Sequence, residues 1–353
     1  MGEFQELHDK MQQMLQQTPA IAVALVRDGA VVHSAAAGEA SGVEADAEKT
    51  VFMTASISKL MNAVLCMQMV ERGELELDQD INEYLGISVR NPNFPDAQIT
   101  TRSLLTHTSG IRDDEYAVNL VGRWKVMGAD CLTTLDTYVH ERLLSDAARS
   151  IWSSLSPPGE ASYHYSNAGA TLVGWVIECA SGRSLPHLAQ ERIFDVVGMP
   201  RSKYTLAEAQ ALPNSDLAMP HRGPGELVGH YGLGEFPAAG LRSTVMDLGR
   251  FLQEFTAAQN RLLSPDSLAE MFPADYQQGL AWWGQDATYG SQQRGIWEHG
   301  GCMEGVRTHI YLYPEQRAGI VVLTNAPCHY QTFARLATGV LFSRCDEECA
   351  TRT

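Results

Sequence analysis

No stretch of this 353-residue chain approaches the ~18 consecutive apolar residues that a membrane-crossing helix requires. Basic residues are scarce: 26 Lys and Arg stand against 42 Asp and Glu, a formal net charge of -16. So acidic a surface repels phosphate backbones and anionic lipid, so neither nucleic acid nor a membrane surface is expected as a partner. The opening residues stay polar through Gln17, with no basic start before an apolar run, so no secretory leader is visible. Glu6 occupies the position where a myristoylation pattern needs Ser or Thr. None of the seven cysteines forms a C-x-x-C pair, which argues against a zinc ribbon or a disulfide framework and for a reduced, cytoplasmic setting. His164, His187, His221 and His230 lack ligand spacing, so no metal is expected. Gly223-Pro224-Gly225 has no Gly-Lys-Ser/Thr after it, so it does not read as a phosphate cradle. G-x-S-x-G is absent, which counts against an α/β-hydrolase elbow. No organic cofactor is called for, and no repeat or low-complexity segment is present.

What is there begins with two β-compatible runs, 20–26 and 30–37, around the turn residues Asp28-Gly29, a hairpin signal. A second pair follows near the other end, where 308–313 alternates, 314–317 turns and 318–323 reads as a buried strand. Helical patterns lie within 4–17, at Ile57, Leu60, Met61, Val64 and Leu65, over 167–179, over 243–255 and over 330–342. Ser243 or Thr244 offers the cap of the fourth of these. The Pro- and Gly-containing stretches 87–98 and 220–239 read as loops. Length leaves room for about two domains. The expected division is a sheet domain from 1–80 and 285–342, a mostly helical insertion over 81–284, and a loose polar tail over 343–353.

The sharpest chemical signal is Ser56-Ile57-Ser58-Lys59 at a helix start. Free backbone N–H groups there favour developing negative charge. Lys59 lies one turn on, within reach of the Ser56 hydroxyl. A neutral lysine can take the serine proton, as an activated nucleophile requires. Lowering a lysine from ~10.4 to about 7 disfavours its charged form by roughly 4 kcal/mol, which desolvation can supply. Taken alone, S-x-x-K is also what a capping serine and a solvated lysine would look like.

It does not stand alone. Tyr165-Ser166-Asn167 precedes the third helix, and His299-Gly300-Gly301-Cys302 precedes the strand at 308–313. Leu104-Leu105-Thr106-His107-Thr108-Ser109-Gly110 and Ala238-Ala239-Gly240-Leu241-Arg242-Ser243-Thr244 with Asp247-Leu248 complete an ordered set over roughly residues 20–325. The set resembles the serine β-lactamase and penicillin-binding-protein superfamily, in its class C, esterase and D-peptidase branch. The resemblance implies a β-lactamase/transpeptidase-like α/β (α+β) fold, a mostly antiparallel sheet flanked by helices with a helical subdomain inserted. It also implies that Ser56 is an acylated nucleophile, that Lys59 shares its proton, and that Tyr165 is the base or the relay to the leaving group. Asn167 would bind the substrate's acyl side or the lysine. The backbone N–H groups of Ser56 and Cys302 would form an oxyanion hole on the edge strand, and His299 and Gly301 would line the substrate.

Two departures bear on substrate. His299 stands where such enzymes usually carry a lysine that attracts a substrate carboxylate, a charge pair worth about 4 kcal/mol before desolvation. A histidine, mostly neutral at pH 7, supplies less, which tilts the reading toward small esters, amides or D-peptides lacking a required carboxylate. Five residues separate Gly159 from Tyr165 where four are expected, with Tyr163 as a rival; the following Ser-Asn selects Tyr165. His107 reads as a hydrogen-bonded structural residue, and Trp282-Trp283 as core. The expectation is a serine hydrolase of esterase or D-amino-acid peptidase type. The alternatives are a β-lactamase or D-Ala-D-Ala carboxypeptidase, and an acyltransferase or non-catalytic relative.

Overall fold

A computed structural model describes residues 4–113, 124–160, 162–214, 216–274, 277–289 and 292–350. The two sequence hairpins fall in one sheet. Its strands are β1 (Ala20–Arg27), β2 (Ala30–Ala40), β3 (Val43–Glu44), β4 (Trp283–Tyr289), β5 (Gln292–Met303), β6 (Val306–Tyr313) and β7 (Ala318–Thr324). They lie in the order β4-β5-β6-β7-β1-β2-β3, every neighbouring pair antiparallel. Asp28 and Gly29 link β1 to β2 with φ of 49° and 76°, the doubly positive pair of a tight hairpin turn.

The continuous apolar run in β1 is explained by burial on both faces. Ala20, Ala22, Ala24 and Val26 face one core with Leu248, Phe251 and Leu252 of helix α4 (Val245–Thr256). Ile21, Val23 and Leu25 face the other, with Leu7 and Met11 of α1 (Gln5–Met14) and Phe333 and Leu341 of α5 (Gln331–Ala350). Strand alternation therefore feeds two cores from one segment. Helix α4 comes from inside the 81–284 stretch yet packs on β1 and β7. Thr244 is its cap, accepting from the Asp247 N–H at 3.0 Å.

Helix α5 runs to Ala350, beyond the 342 at which the helical pattern ends, so a loose tail from 343 is not what 343–350 form. After Phe342 the sequence turns polar, Ser343-Arg344-Cys345-Asp346-Glu347-Glu348, and hydrophobic periodicity there gives no helix signal. Residues 351–353 lie outside the described residues.

Between the strand groups run α2 (Ser58–Glu71) and α3 (Asn167–Ser181). Every residue of α2 from Ser58 to Met69 is buried, which places this helix in the centre of the molecule. Among the described residues no helix is long and apolar enough to cross a membrane.

Phe251 is fully buried between α4 and the sheet. Phe251→Ala should lower unfolding free energy by about 3–5 kcal/mol in urea denaturation, with the denaturant slope unchanged.

Candidate active site

The chain leaves the short strand Thr50–Met53, makes one 3-10 turn at Ala55–Ile57, and enters α2. Ala55 adopts φ 51°, a left-handed conformation that is costly for a residue with a side chain. Three contacts hold the turn in place. Thr54 N–H donates to Leu241 O at 2.9 Å, Leu241 N–H to Ser58 Oγ at 3.0 Å, and Thr308 Oγ1 to Thr54 O at 2.8 Å. Ser56 is 5% exposed and Lys59 2%.

Lys59 Nζ meets three oxygens: Ser56 Oγ at 3.0 Å, Asn167 Oδ1 at 2.7 Å and Ala238 O at 2.9 Å. The two carbonyl oxygens can only accept. In a neutral lysine they take both N–H bonds and leave the lone pair for the Ser56 hydroxyl. Burial lowers Lys59 from the usual 10.5 to about 7, against an opposing pull from the buried carboxyls of Glu235 and Asp113.

Each partner is positioned by its own element. Asn167 opens α3, capped by Ser166 Oγ, which accepts from the Gly169 N–H at 2.9 Å. Asp113 Oδ2 accepts from the N–H groups of Asn167 and, at 3.2 Å, Ala168. Ala238 lies in the turn Phe236–Ala239, which presses on α3 at Gly174; a Cβ there would sit 2.5 Å from Pro237 Cγ. Glu235, which precedes this turn, is fully buried and accepts from the Tyr138 hydroxyl at 3.1 Å. Burial pushes its carboxyl well above the ordinary range.

Tyr165 lies beneath the lysine, its ring centroid 4.8 Å from Nζ and its hydroxyl on the Ser56 side. Burial raises the phenol well above its usual value, so it stays protonated at neutral pH. Tyr163, the rival, is 38% exposed and packs edge-on against Trp283 at 5.4 Å.

The opposite wall is β5. Its neighbour β4 pairs with Gln292 to Glu298 and goes no further, so β5 is not an edge strand over its whole length. It becomes one at His299, where the β4 ladder ends. Gly301 has no room for a side chain: a Cβ would lie 2.0 Å from Thr308 Oγ1 and 2.4 Å from Thr54 O. That closeness brings the backbone around Cys302 against the turn that carries Ser56. His299 Nδ1–H donates to Ala281 O at 2.6 Å, and burial holds the ring down to about 3, hence neutral. The structure thus brings Ser56, Lys59, Tyr165 and Asn167 into direct contact, with His299, Gly301 and Cys302 on the adjoining strand.

The family model described as Beta-lactamase matches residues 7–340. The chain belongs to the beta-lactamase family. The fold of this family member is that of solved relatives. It superposes on the octameric penicillin-binding protein homologue from Pyrococcus abyssi with a TM-score of 0.77 at 24% identity, covering 96% of this chain and 77% of that one. It superposes on the D-alanine carboxypeptidase AmpC from Burkholderia cenocepacia with a TM-score of 0.72 at 21% identity, covering 97% of each. A D-aminopeptidase of Cereibacter sphaeroides is 27% identical over 270 residues, 70% of this chain and 47% of its own length. The chain thus spans about half the length of the curated relatives it matches.

Four neighbours of the family's site escaped the sequence reading. Trp282 is core, but Trp283 is 40% exposed with its ring 6.1 Å from Tyr165. Strand alternation across the pair was the available signal. Asp113 and Glu235 carried none, since each is recruited by tertiary packing; Ala238 opens the 238–244 motif, but nothing in the motif marks its carbonyl as a partner of Lys59.

Gly301→Ala should force β5 away from Thr54. We expect about 1–3 kcal/mol of destabilisation in chemical denaturation. Labelling of Ser56 by a fluorophosphonate should fall far more steeply than stability does.

Proposed function

We propose that the protein is a serine hydrolase that forms an acyl-enzyme on Ser56 from a small ester or amide, of the esterase or D-amino-acid peptidase type. The observation that carries this reading is the Lys59 ammonium site: two fixed carbonyl acceptors and the Ser56 hydroxyl around a lysine lowered to about 7.

In the proposed reaction Ser56 Oγ attacks the substrate carbonyl carbon while its proton passes to the Lys59 lone pair. The N–H groups of Ser56 and Cys302 hold the tetrahedral oxyanion. Collapse breaks the ester or amide bond, and the leaving alcohol or amine receives the proton through the Tyr165 hydroxyl. Water, giving one proton to Lys59, then attacks the acyl carbon; the Ser56 Oγ–acyl bond breaks, Ser56 regains that proton and the carboxylic acid leaves. Tyr165, held protonated, suits the relay better than the base, and Lys59 suits the base.

Substrate choice follows from His299. A buried neutral imidazole with Nδ1–H tied to Ala281 O offers no cation to a substrate carboxylate. This favours esters and amides over β-lactams and D-Ala-D-Ala termini. The relatives named D-aminopeptidase favour D-amino-acid amides among them.

Ser56→Ala should abolish p-nitrophenyl butyrate hydrolysis and fluorophosphonate labelling while thermal melting stays cooperative; a mutant that still labels would assign the nucleophile elsewhere. Rapid nitrocefin turnover by the wild type would overturn the substrate preference. Because the neutral lysine is the reactive form, kcat/KM should rise with pH through a midpoint of about 7 and fall tenfold per pH unit below it. A profile flat from pH 5 to 8, or one whose midpoint survives in Lys59→Ala, would remove Lys59 from the base role.

A further inference from the structure

Among the described residues, two buried polar atoms behind Lys59 have no protein partner. His107, in the Leu104–Gly110 segment, is 3% exposed and adopts φ 57°. Its Nδ1 accepts from the Ser166 N–H at 3.2 Å, so in the neutral ring the hydrogen sits on Nε2. That Nε2 is buried and has no hydrogen-bond partner among the described residues. Asn62 lies one turn beyond Lys59 on α2. Its Nδ2 donates to Pro237 O at 3.1 Å and Ala170 O at 3.4 Å, which fixes the amide orientation. Its Oδ1 is left buried and unpartnered among the described residues.

Both residues line one cavity of about 10 Å³, together with Lys59, Leu104 and Ala170. The volume is that of about one water molecule. One wall offers a lone donor and another a lone acceptor. Each would cost roughly 1–3 kcal/mol if left unsatisfied.

His107 also touches the catalytic segment. Its ring is 4.6 Å from that of Tyr165, at an interplanar angle of 39°. Through Nδ1 it holds the Ser166 N–H, midway between Tyr165 and Asn167. Burial first, and then the Lys59 charge, keeps the imidazole neutral.

We propose that this cavity binds one water, which accepts from His107 Nε2–H and donates to Asn62 Oδ1, making His107 a positioning residue that couples the Tyr165–Asn167 segment to the helix carrying Lys59. The inference rests on the hydrolytic reading of Ser56, Lys59 and Tyr165. The bridge spans the two elements whose separation sets the Asn167 Oδ1–Lys59 Nζ contact of 2.7 Å. It also occupies the Asn62 carbonyl. Were that carbonyl left to face Lys59 unpaired, it would favour the ammonium and move the acid limb of the rate profile to higher pH.

His107→Asn separates the parts. Its side-chain oxygen can take over the Nδ1 contact, and Asn tolerates positive φ, but it has no group at Nε2. His107→Phe keeps the ring against Tyr165 and loses both polar contacts. We expect kcat on p-nitrophenyl butyrate to fall at least ~10-fold in His107→Asn and further in His107→Phe, with KM within about twofold and the acid limb shifted upward. A high-resolution crystal structure of the wild type should show ordered solvent within hydrogen-bond distance of both His107 Nε2 and Asn62 Oδ1. Wild-type kcat and pH profile in His107→Asn, or no solvent between those atoms, would overturn the proposal; the solvent arm holds even if a variant fails to fold. Absence of fluorophosphonate labelling at wild-type Ser56 would instead sink the hydrolytic reading, leaving the water site to be judged by density.

Discussion

Burial drives a lysine amine toward its neutral form, and here two carbonyl oxygens fix where its N–H groups point. Asn167 Oδ1 and Ala238 O lie 2.7 and 2.9 Å from Lys59 Nζ, with Ser56 Oγ completing the set at 3.0 Å. Desolvation alone would lower the lysine's affinity for a proton without directing the free electron pair. The fixed acceptors supply the direction. Much of the surrounding architecture serves to hold those oxygens. Asp113 binds the first N–H groups of α3, and Gly174 lets the 236–239 turn close on that helix.

The sheet contributes at its margin. Strand β4 leaves β5 at Glu298, and the stretch that follows, paired with β6 alone, carries His299, Gly301 and Cys302 past the Ser56 turn. Thr308 on the next strand anchors the same turn through Thr54. The strained Ala55 conformation is thus clamped between the end of the 50–53 strand, the 241–243 segment and β6. Strain that would relax in an isolated loop persists because its neighbours over-determine it.

Much of this was legible in the residues alone. The hairpin at Asp28-Gly29, the doubly buried run in β1 and the start of α3 follow from local rules, and Ser56 and Lys59 are neighbours by helical spacing. Their tie to Tyr165 and Asn167 came from ordered motifs rather than from periodicity. Illegible were features with no local signal. The reach of α5 past Phe342 runs through polar sequence with no hydrophobic period, and the extent of β4 decides where β5 becomes an edge. Glu235 looks like any loop acid until Tyr138 and Lys59 are seen around it. Trp283 parts from Trp282 because a strand sends adjacent side chains to opposite sides.

The split sheet has a temporal consequence. Ser56 and Lys59 are made before β5 to β7, which span residues 292–324 and supply a neighbour of β1 and the wall beside the Ser56 turn. A nascent chain therefore carries its serine and lysine long before the wall bearing Gly301 exists to face them. Until β7 pairs with β1, the inner strand lacks one neighbour and the lysine lacks much of its dry enclosure. The enclosure of Ser56 and Lys59 is thus tied to the joining of residues 292–324 to the sheet, and a chain halted before them leaves that pair open to solvent.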